Sequence, residues 1–351
     1  MKKIEMVDLK GQYRHIKEQV NKSVLETIES AMFINGPKVK SFQDHLEKYL
    51  DVKHVIPCAN GTDALQIALM GLGLKPGDEV ITADFTFAAT VEVISLLGLT
   101  PVLVDVDPKT FNIDLPSIEK VIGPKTKAII PVHLFGQAAD MEEILALANK
   151  HNLYVVEDNA QSIGANYTFS DGSKKKTGTL GHIGTTSFFP SKNLGAYGDG
   201  GAIFTNDDEL AHTIRGMVNH GMYIRYQHDV VGVNSRLDSI QAAILDIKLN
   251  YLDFYNESRK ASALKYNQRL ADHPNLITPF RKGDCDTHVY HQYTLKVIDG
   301  DRDGLINHLN EKGIPCGVYY PIPLHLQKAY TNDHYNADDF KVTLEIVNQV
   351  V

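Results

Sequence analysis

Short apolar runs alternate with amphipathic stretches through the first two-thirds of the chain. Lys53-His-Val-Ile-Pro57 reads as an extended segment, and Ala59-Asn-Gly61 turns it into a helix over Thr62–Gly71. Ala64, Leu65, Ala68, Leu69 and Leu72 recur there at helical spacing, which predicts one buried face. Glu79–Thr82, Pro101–Val106, Ala128–Val132 and Leu153–Glu157 predict further strands, with helices over Ala88–Leu97 and Asp140–Lys150. Gly201–Thr205 adds another strand, followed by a helix from Asp207. Short apolar strands separated by helices predict an α/β fold with a mostly parallel sheet covered on both faces.

The pattern then changes. Arg236 to about Leu270 predicts one long, weakly broken helix with Ile240, Ala243, Ile244, Ile247 and Tyr251 on one side. It reads as the connector from a large domain, residues 1–250, into a smaller C-terminal α/β domain, residues 251–351. That smaller part is expected to hold a strand at Gln292–Val297 and a helix at Asp303–Lys312. A last helix over Lys341–Val351 is expected, with no closing strand after it.

With 351 residues, 43% hydrophobic and 22% charged, the chain has ordinary globular composition and enough length for a large core. A formal net charge of −8 offers no field for nucleic acid. Ser173-Lys174-Lys175-Lys176 is expected to be an exposed loop. Cys58, Cys285 and Cys316 lie far apart without CxxC spacing, which argues for a reducing compartment and against a disulfide framework or a zinc site. The first ten residues lack a continuous apolar core for a signal peptide, and no run approaches the roughly 18 apolar residues of a membrane span. The expectation is a cytoplasmic protein.

The chemistry begins at Ser187-Phe-Phe-Pro-Ser-Lys192-Asn-Leu-Gly195-Ala-Tyr-Gly-Asp-Gly-Gly201, where a lysine ends an apolar run at the mouth of a glycine-rich turn. Partial desolvation there lowers a lysine's pKa and frees a neutral amine for attack on an aldehyde. Pyridoxal phosphate is the cofactor that needs such a lysine, as a Schiff base. The plain alternative is a solvated turn lysine. Asn60-Gly61-Thr62-Asp63 opens a helix and suits a phosphate, or else Thr62 or Asp63 simply caps that helix. Asp158 ends a strand, where it either keeps a pyridine nitrogen protonated or caps the next segment. Gln161, one short turn on, can donate to the ring's phenolic oxygen, and Phe85 or Phe87 either stacks on a flat ring or belongs to the core. Neither GxGxxG nor GxxxxGK[ST] occurs, so a Rossmann or P-loop nucleotide site is unsupported.

In this order, Gly61-Thr-Asp-Ala, Glu157-Asp-Asn-Ala-Gln161, Ser187-Phe-Phe-Pro-Ser-Lys192 and Gly198-Asp-Gly-Gly are specific jointly, and the chain resembles the DegT-type sugar aminotransferases. The resemblance runs from about Met6 to His325 and implies the aspartate-aminotransferase-like fold of pyridoxal phosphate enzymes (fold type I). It implies Lys192 as the Schiff-base lysine and proton shuttle, Asp158 as the pyridine-nitrogen partner and Gln161 as the contact to the ring hydroxyl. It implies phosphate ligands at Gly61, Thr62 and Ser187, and the stacking aromatic at Phe87. Asn234 matches an asparagine that reaches the phosphate of the neighbouring subunit, which implies a homodimer with shared sites.

The implied reaction takes an amino group from glutamate and passes it to a nucleotide-linked keto-sugar. Gly232-Val-Asn-Ser-Arg-Leu-Asp-Ser-Ile-Gln-Ala-Ala243 resembles the branch that aminates C3, nearest to enzymes acting on UDP-linked 2-acetamido-3-keto-glucuronate. Arg236 either pairs with a uronate carboxylate or is tied up by Asp238 or a backbone carbonyl. Tyr319 and Tyr320 are the other substrate candidates, and Tyr319 departs from the histidine expected at that place. The rivals are a dTDP-linked 3-keto-deoxysugar as substrate, a sugar 3-dehydratase (whose relatives replace this lysine with histidine) and a non-catalytic regulatory protein on the same fold.

Overall fold

The structure, a computed structural model, describes residues 4–281, 287–331 and 335–351. Cys285 and the first three residues of the N-terminal segment lie outside them. Seven strands build the main sheet: His54–Cys58 (β1), Glu79–Ala83 (β2), Thr100–Val104 (β3), Thr126–Ile130 (β4), Tyr154–Asp158 (β5), Ile183–Ser187 (β6) and Gly201–Thr205 (β7). Their spatial order is β1-β7-β6-β5-β4-β2-β3. All run parallel except β7, which is antiparallel to both of its neighbours.

The helices are Leu9–Ser30 (α1), Pro37–Leu50 (α2), Gly61–Gly71 (α3), Ala89–Leu96 (α4), Leu115–Val121 (α5), Met141–His151 (α6), Asp208–Met217 (α7), Ser239–Leu249 (α8), Leu252–Leu270 (α9), Arg302–Glu311 (α10) and Lys341–Ile346 (α11). Alternate strand residues feed two cores, as the side-chain period of two requires. Ile81, Ile129 and Val155 pack with Phe85, Phe111, Phe135 and Ile144 on one face. Val80, Ala128, Ile130 and Val156 pack with Leu65, Ala68, Val93 and Ile214 of α3, α4 and α7 on the other. Both faces are covered, which is why the strands read as apolar runs.

Four expectations change. The long helix predicted over Arg236–Leu270 is two helices, because Arg236–Asp238 is not helical and Asn250–Tyr251 breaks the rest. The Asn250 side chain donates to the carbonyl of Asp246 at 2.9 Å, competing for an acceptor that would otherwise serve the continuing helix. The strand expected at Gln292–Val297 forms a ladder only at Lys296–Val297, against Leu276–Ile277. The last helix stops at Ile346 instead of running to Val351, and Leu295 and Val351 exchange backbone hydrogen bonds in both directions. Lys174–Lys176, expected as a loop, pairs with Asn166–Thr168 as a short hairpin whose Lys176 ammonium lies over the Tyr49 ring. No helix among the described residues is long and apolar enough to cross a membrane.

Candidate active site

The candidate residues converge outside the C-terminal ends of β5 and β6, at the N-terminus of α3. Asn60, and neither Thr62 nor Asp63, caps that helix: its Oδ1 accepts from the Asp63 amide at 2.8 Å. The amides of Gly61 and Thr62 and the Thr62 hydroxyl therefore have no acceptor among the described residues and remain available to an anion. Gly61 lies directly against Ser187, and a Cβ at Gly61 would stand 2.6 Å from the Ser187 Cβ. Gly201 backs the same turn, since a Cβ there would meet the Asn60 carbonyl carbon at 2.4 Å. The glycines keep the floor of the cradle thin.

Asp158 is the last residue of β5 and is 6% exposed. Its Oδ1 accepts from the Ala160 amide at 3.1 Å, so it does cap the following turn. Its Oδ2 accepts from the Thr90 hydroxyl at 2.9 Å, and carboxylate lone pairs are left over for a ring N–H. Thr90 is a residue that sequence reasoning misses. A threonine in the first turn of an apolar helix carries no local signal.

Lys192 is half-buried beside this carboxylate, and its ammonium has no hydrogen-bond partner among the described residues. Burial pulls its pKa down to about 8 from the ordinary 10.5, against the opposing pull of the Asp158 charge. Buried polar groups hold its turn on the far side. The Asn193 amide donates to Asn256 Oδ1 at 2.7 Å, and the Lys248 ammonium donates to the Gly195 carbonyl.

Gln161 is oriented by two bonds: its Oε1 accepts from the Phe135 amide at 2.7 Å and its Nε2 donates to the Tyr320 hydroxyl at 3.1 Å. That leaves one amide N–H for a ligand. Of the two phenylalanines, Phe85 is core at 1% exposure, while Phe87 is 58% exposed with a face free for stacking. Tyr320 touches both rings. Among the described residues Arg236 bonds to neither Asp238 nor a backbone carbonyl; its guanidinium donates to Asn219 Oδ1 at 3.2 Å. Asn234 is exposed and has no hydrogen-bond partner among the described residues, while its neighbour Ser235 accepts from the Ala59 amide beside the cradle. Tyr319 is 37% exposed at the rim.

An anion cradle, a buried carboxylate and a half-buried lysine of lowered pKa fit a flat phosphorylated pyridine aldehyde. A model of the DegT/DnrJ/EryC1/StrS aminotransferase family matches residues 14–351. Over 334 residues the chain is 48% identical to a pleiotropic regulatory protein of Geobacillus stearothermophilus, covering 95% of this chain and 88% of the relative. It is 46% identical over 330 residues to the UDP-2-acetamido-2-deoxy-3-oxo-D-glucuronate aminotransferase of Pseudomonas aeruginosa, covering 94% and 89%. A dTDP-3-amino-3,4,6-trideoxy-alpha-D-glucose transaminase of Streptomyces venezuelae is 38% identical, with 94% and 85% covered. The crystal structure of a DegT DnrJ EryC1 StrS aminotransferase from Brucella abortus superposes with a TM-score of 0.93 at 41% identity, covering 99% of this chain and 92% of the other. That of NtdA from Bacillus subtilis with bound cofactor PMP superposes with a TM-score of 0.90 at 33% identity, covering 100% and 80%. Aminotransferases of this family depend on pyridoxal phosphate. With the family model spanning nearly the whole chain, this protein belongs to the DegT/DnrJ/EryC1/StrS aminotransferase family, and its relatives include enzymes named as aminotransferases of nucleotide-linked sugars.

Proposed function

We propose that the chain transfers an amino group from glutamate to C3 of a UDP-linked 2-acetamido-3-keto-hexuronate, in the making of amino sugars for cell-surface polysaccharide. The observation that carries the uronate is Arg236: a half-buried guanidinium whose hydrogen-bond partner is the neutral Asn219 amide keeps most of its fork for a carboxylate. The P. aeruginosa relative, named for a 3-oxo-glucuronate, supports the same choice.

When bound, pyridoxal phosphate supplies an aldehyde for an amine and a ring that draws electrons from the bond being broken. Gly61, Thr62 and Ser187 would hold its phosphate, and Phe87 would stack on the ring. Asp158, which accepts from the Thr90 hydroxyl and the Ala160 amide, would hold a proton on the ring nitrogen. Gln161 presents its remaining N–H to the ring oxygen. Lys192 Nζ, neutral in good part at mildly alkaline pH, moves the substrate's α-proton. Tyr319, Tyr320 and Arg236 are the residues we assign to the sugar.

The site is completed in a homodimer, with Asn234 serving the phosphate of the partner subunit. An open apolar groove of about 610 Å³ supports this, lined by Val20, Val24 and Leu25 of α1, Ile240 and Ile244 of α8, and Tyr197 of the glycine-rich turn. We take residues 1–250 as the cofactor-binding domain and 251–351 as the smaller one, and assign the protein to the cytoplasm, in keeping with Cys58 and Cys316 both being free.

The dTDP-linked transaminase at 38% identity favours a second substrate, a dTDP-3-keto-deoxysugar. Competition kinetics with UDP-uronate and dTDP-deoxysugar 3-ketones decides between them; a marked preference for the dTDP sugar sinks the uronate. The regulatory name of the Geobacillus relative is tested by an absorbance spectrum with and without glutamate. A catalyst converts its visible band to the aminated form, and a purely regulatory protein leaves it unchanged. Lys192→Ala abolishes both the band and turnover.

A further inference from the structure

We infer that the buried Asp84–His325 pair is a positioning device for the active site, holding Tyr320 against Gln161. The two residues are 241 positions apart in the chain, at the end of β2 and in the C-terminal segment. Asp84 Oδ2 lies 2.6 Å from His325 Nδ1, its Oδ1 accepts from the His325 amide at 2.8 Å, and its carbonyl accepts from the Leu324 amide at 3.3 Å. Neither side chain is more than 5% exposed. One aspartate thus grips a segment by both backbone and side chain.

That grip matters because no backbone hydrogen bond among the described residues fixes the approach to Tyr320, where Val318 and Tyr320 are otherwise held by packing against the core. Residues 315–322 make no backbone–backbone hydrogen bond with the described residues. Between Tyr320 and the clasp lies Pro321-Ile322-Pro323. The proline rings set φ, and Pro323 sits at φ −59 and ψ 150, an extended polyproline geometry. Such a strut carries the position of His325 to Tyr320 with little slack. On the other side, Asp84 directly precedes Phe85, whose ring packs edge-on against Tyr320 with centroids 5.9 Å apart. The clasp therefore sets both walls together, and Tyr320 then meets Gln161 at 3.1 Å.

The imidazole has one use here. Its ring stacks on Phe340 at 4.2 Å, and its buried Nε2 has no hydrogen-bond partner among the described residues. A phenylalanine would satisfy the packing without that orphaned atom, so the Nδ1 bond to Asp84 is what distinguishes histidine at this place.

The inference rests on the reading of Lys192 and Gln161 as cofactor residues, and the test separates the two. The cofactor-loaded protein is titrated with pH by its visible absorbance, with urea melts alongside. His325→Phe keeps the stack and loses the bond; His325→Asn restores an amide donor near the Nδ1 position. His325→Phe should move the titration midpoint by about half a unit or more, in the direction of Tyr320→Phe, since a hydrogen bond lost at the ring oxygen shifts the ionisation. The double variant should titrate like Tyr320→Phe alone, the non-additivity expected of residues acting through one another. His325→Asn should titrate like the wild type, and it carries the test if His325→Phe does not fold. An unmoved midpoint in His325→Phe or Tyr320→Phe, additive shifts in the double variant, or a shift in His325→Asn as large as in Tyr320→Phe overturns the inference. A wild-type protein with no visible band overturns the Lys192 reading itself, and the inference with it.

Discussion

The Thr90 hydroxyl donates to Asp158 Oδ2 at 2.9 Å, tying the first turn of α4 to the end of β5. The bond orients a buried carboxylate whose charge acts on Lys192.

Thr90→Val keeps the shape and removes the donor. A hydrogen bond to a charged group is worth about 1.5–3 kcal/mol, so turnover should fall about tenfold or more. Steady-state kinetics with matched cofactor titrations measures this. Wild-type values in both would remove Thr90 from the site.

Lys192 must be neutral to attack an aldehyde. Its pKa of about 8, against an ordinary 10.5, places the rise of its reactive form near pH 8. Below that pH the amine is protonated, and capture of pyridoxal phosphate by the cofactor-free protein should slow as pH falls. The rate of appearance of the visible band across pH 6–11 reads the midpoint; one near 10.5 contradicts the burial argument.

Gly61→Ala drives a methyl to 2.6 Å from the Ser187 Cβ, in the floor of the cradle. Overpacking of this kind costs about 1–3 kcal/mol, and here it also narrows the anion site. The expected result is cofactor affinity weakened about tenfold or more, with Ser187→Ala milder because it removes one hydroxyl and adds no bulk. Equal affinities for Gly61→Ala and wild type would place the phosphate elsewhere.

Glu157 is fully buried and accepts from the amides of Gly178, Leu180 and Gly181, with His133 Nε2 at 2.9 Å. His133 Nδ1 accepts from the Ala139 amide, so Nε2 is the ring nitrogen that carries the proton toward Glu157. Glu157→Gln replaces an acceptor oxygen with a donor amide facing other donors. A loss of about 3 kcal/mol or more in urea unfolding is expected. An unchanged midpoint would mean that the Gly178–Gly181 turn moves aside at no cost.

The strand and helix alternation from His54 to Thr205 is legible because apolar periodicity is a local property, and both faces of the sheet are covered. The break at Asn250 is less so. An asparagine is tolerated inside many helices, and what marks the end of this one is tertiary detail: the side-chain bond to the Asp246 carbonyl and the tightened bonds from the Asn250 and Tyr251 amides to Ile247 and Lys248. Lys174–Lys176 misleads for a related reason: a strand of exposed lysines has no apolar face to read.

By itself the sequence determined the α/β layering, since apolar periodicity is local, and the cofactor class, since a helix-opening glycine, a strand-end aspartate and a lysine are specific in their joint order though not singly. The tertiary structure alone decided the partners. It chose Phe87 over Phe85 as the open ring, gave Asn219 to Arg236, and brought Thr90 to Asp158 and Tyr320 to Gln161 across 68 and 159 residues. Those contacts follow from the strand order β1-β7-β6-β5-β4-β2-β3 and from the return of the C-terminal segment onto Asp84. A hydrogen bond is satisfied over about 3 Å in space, and no local pattern of residues encodes which distant element will arrive there.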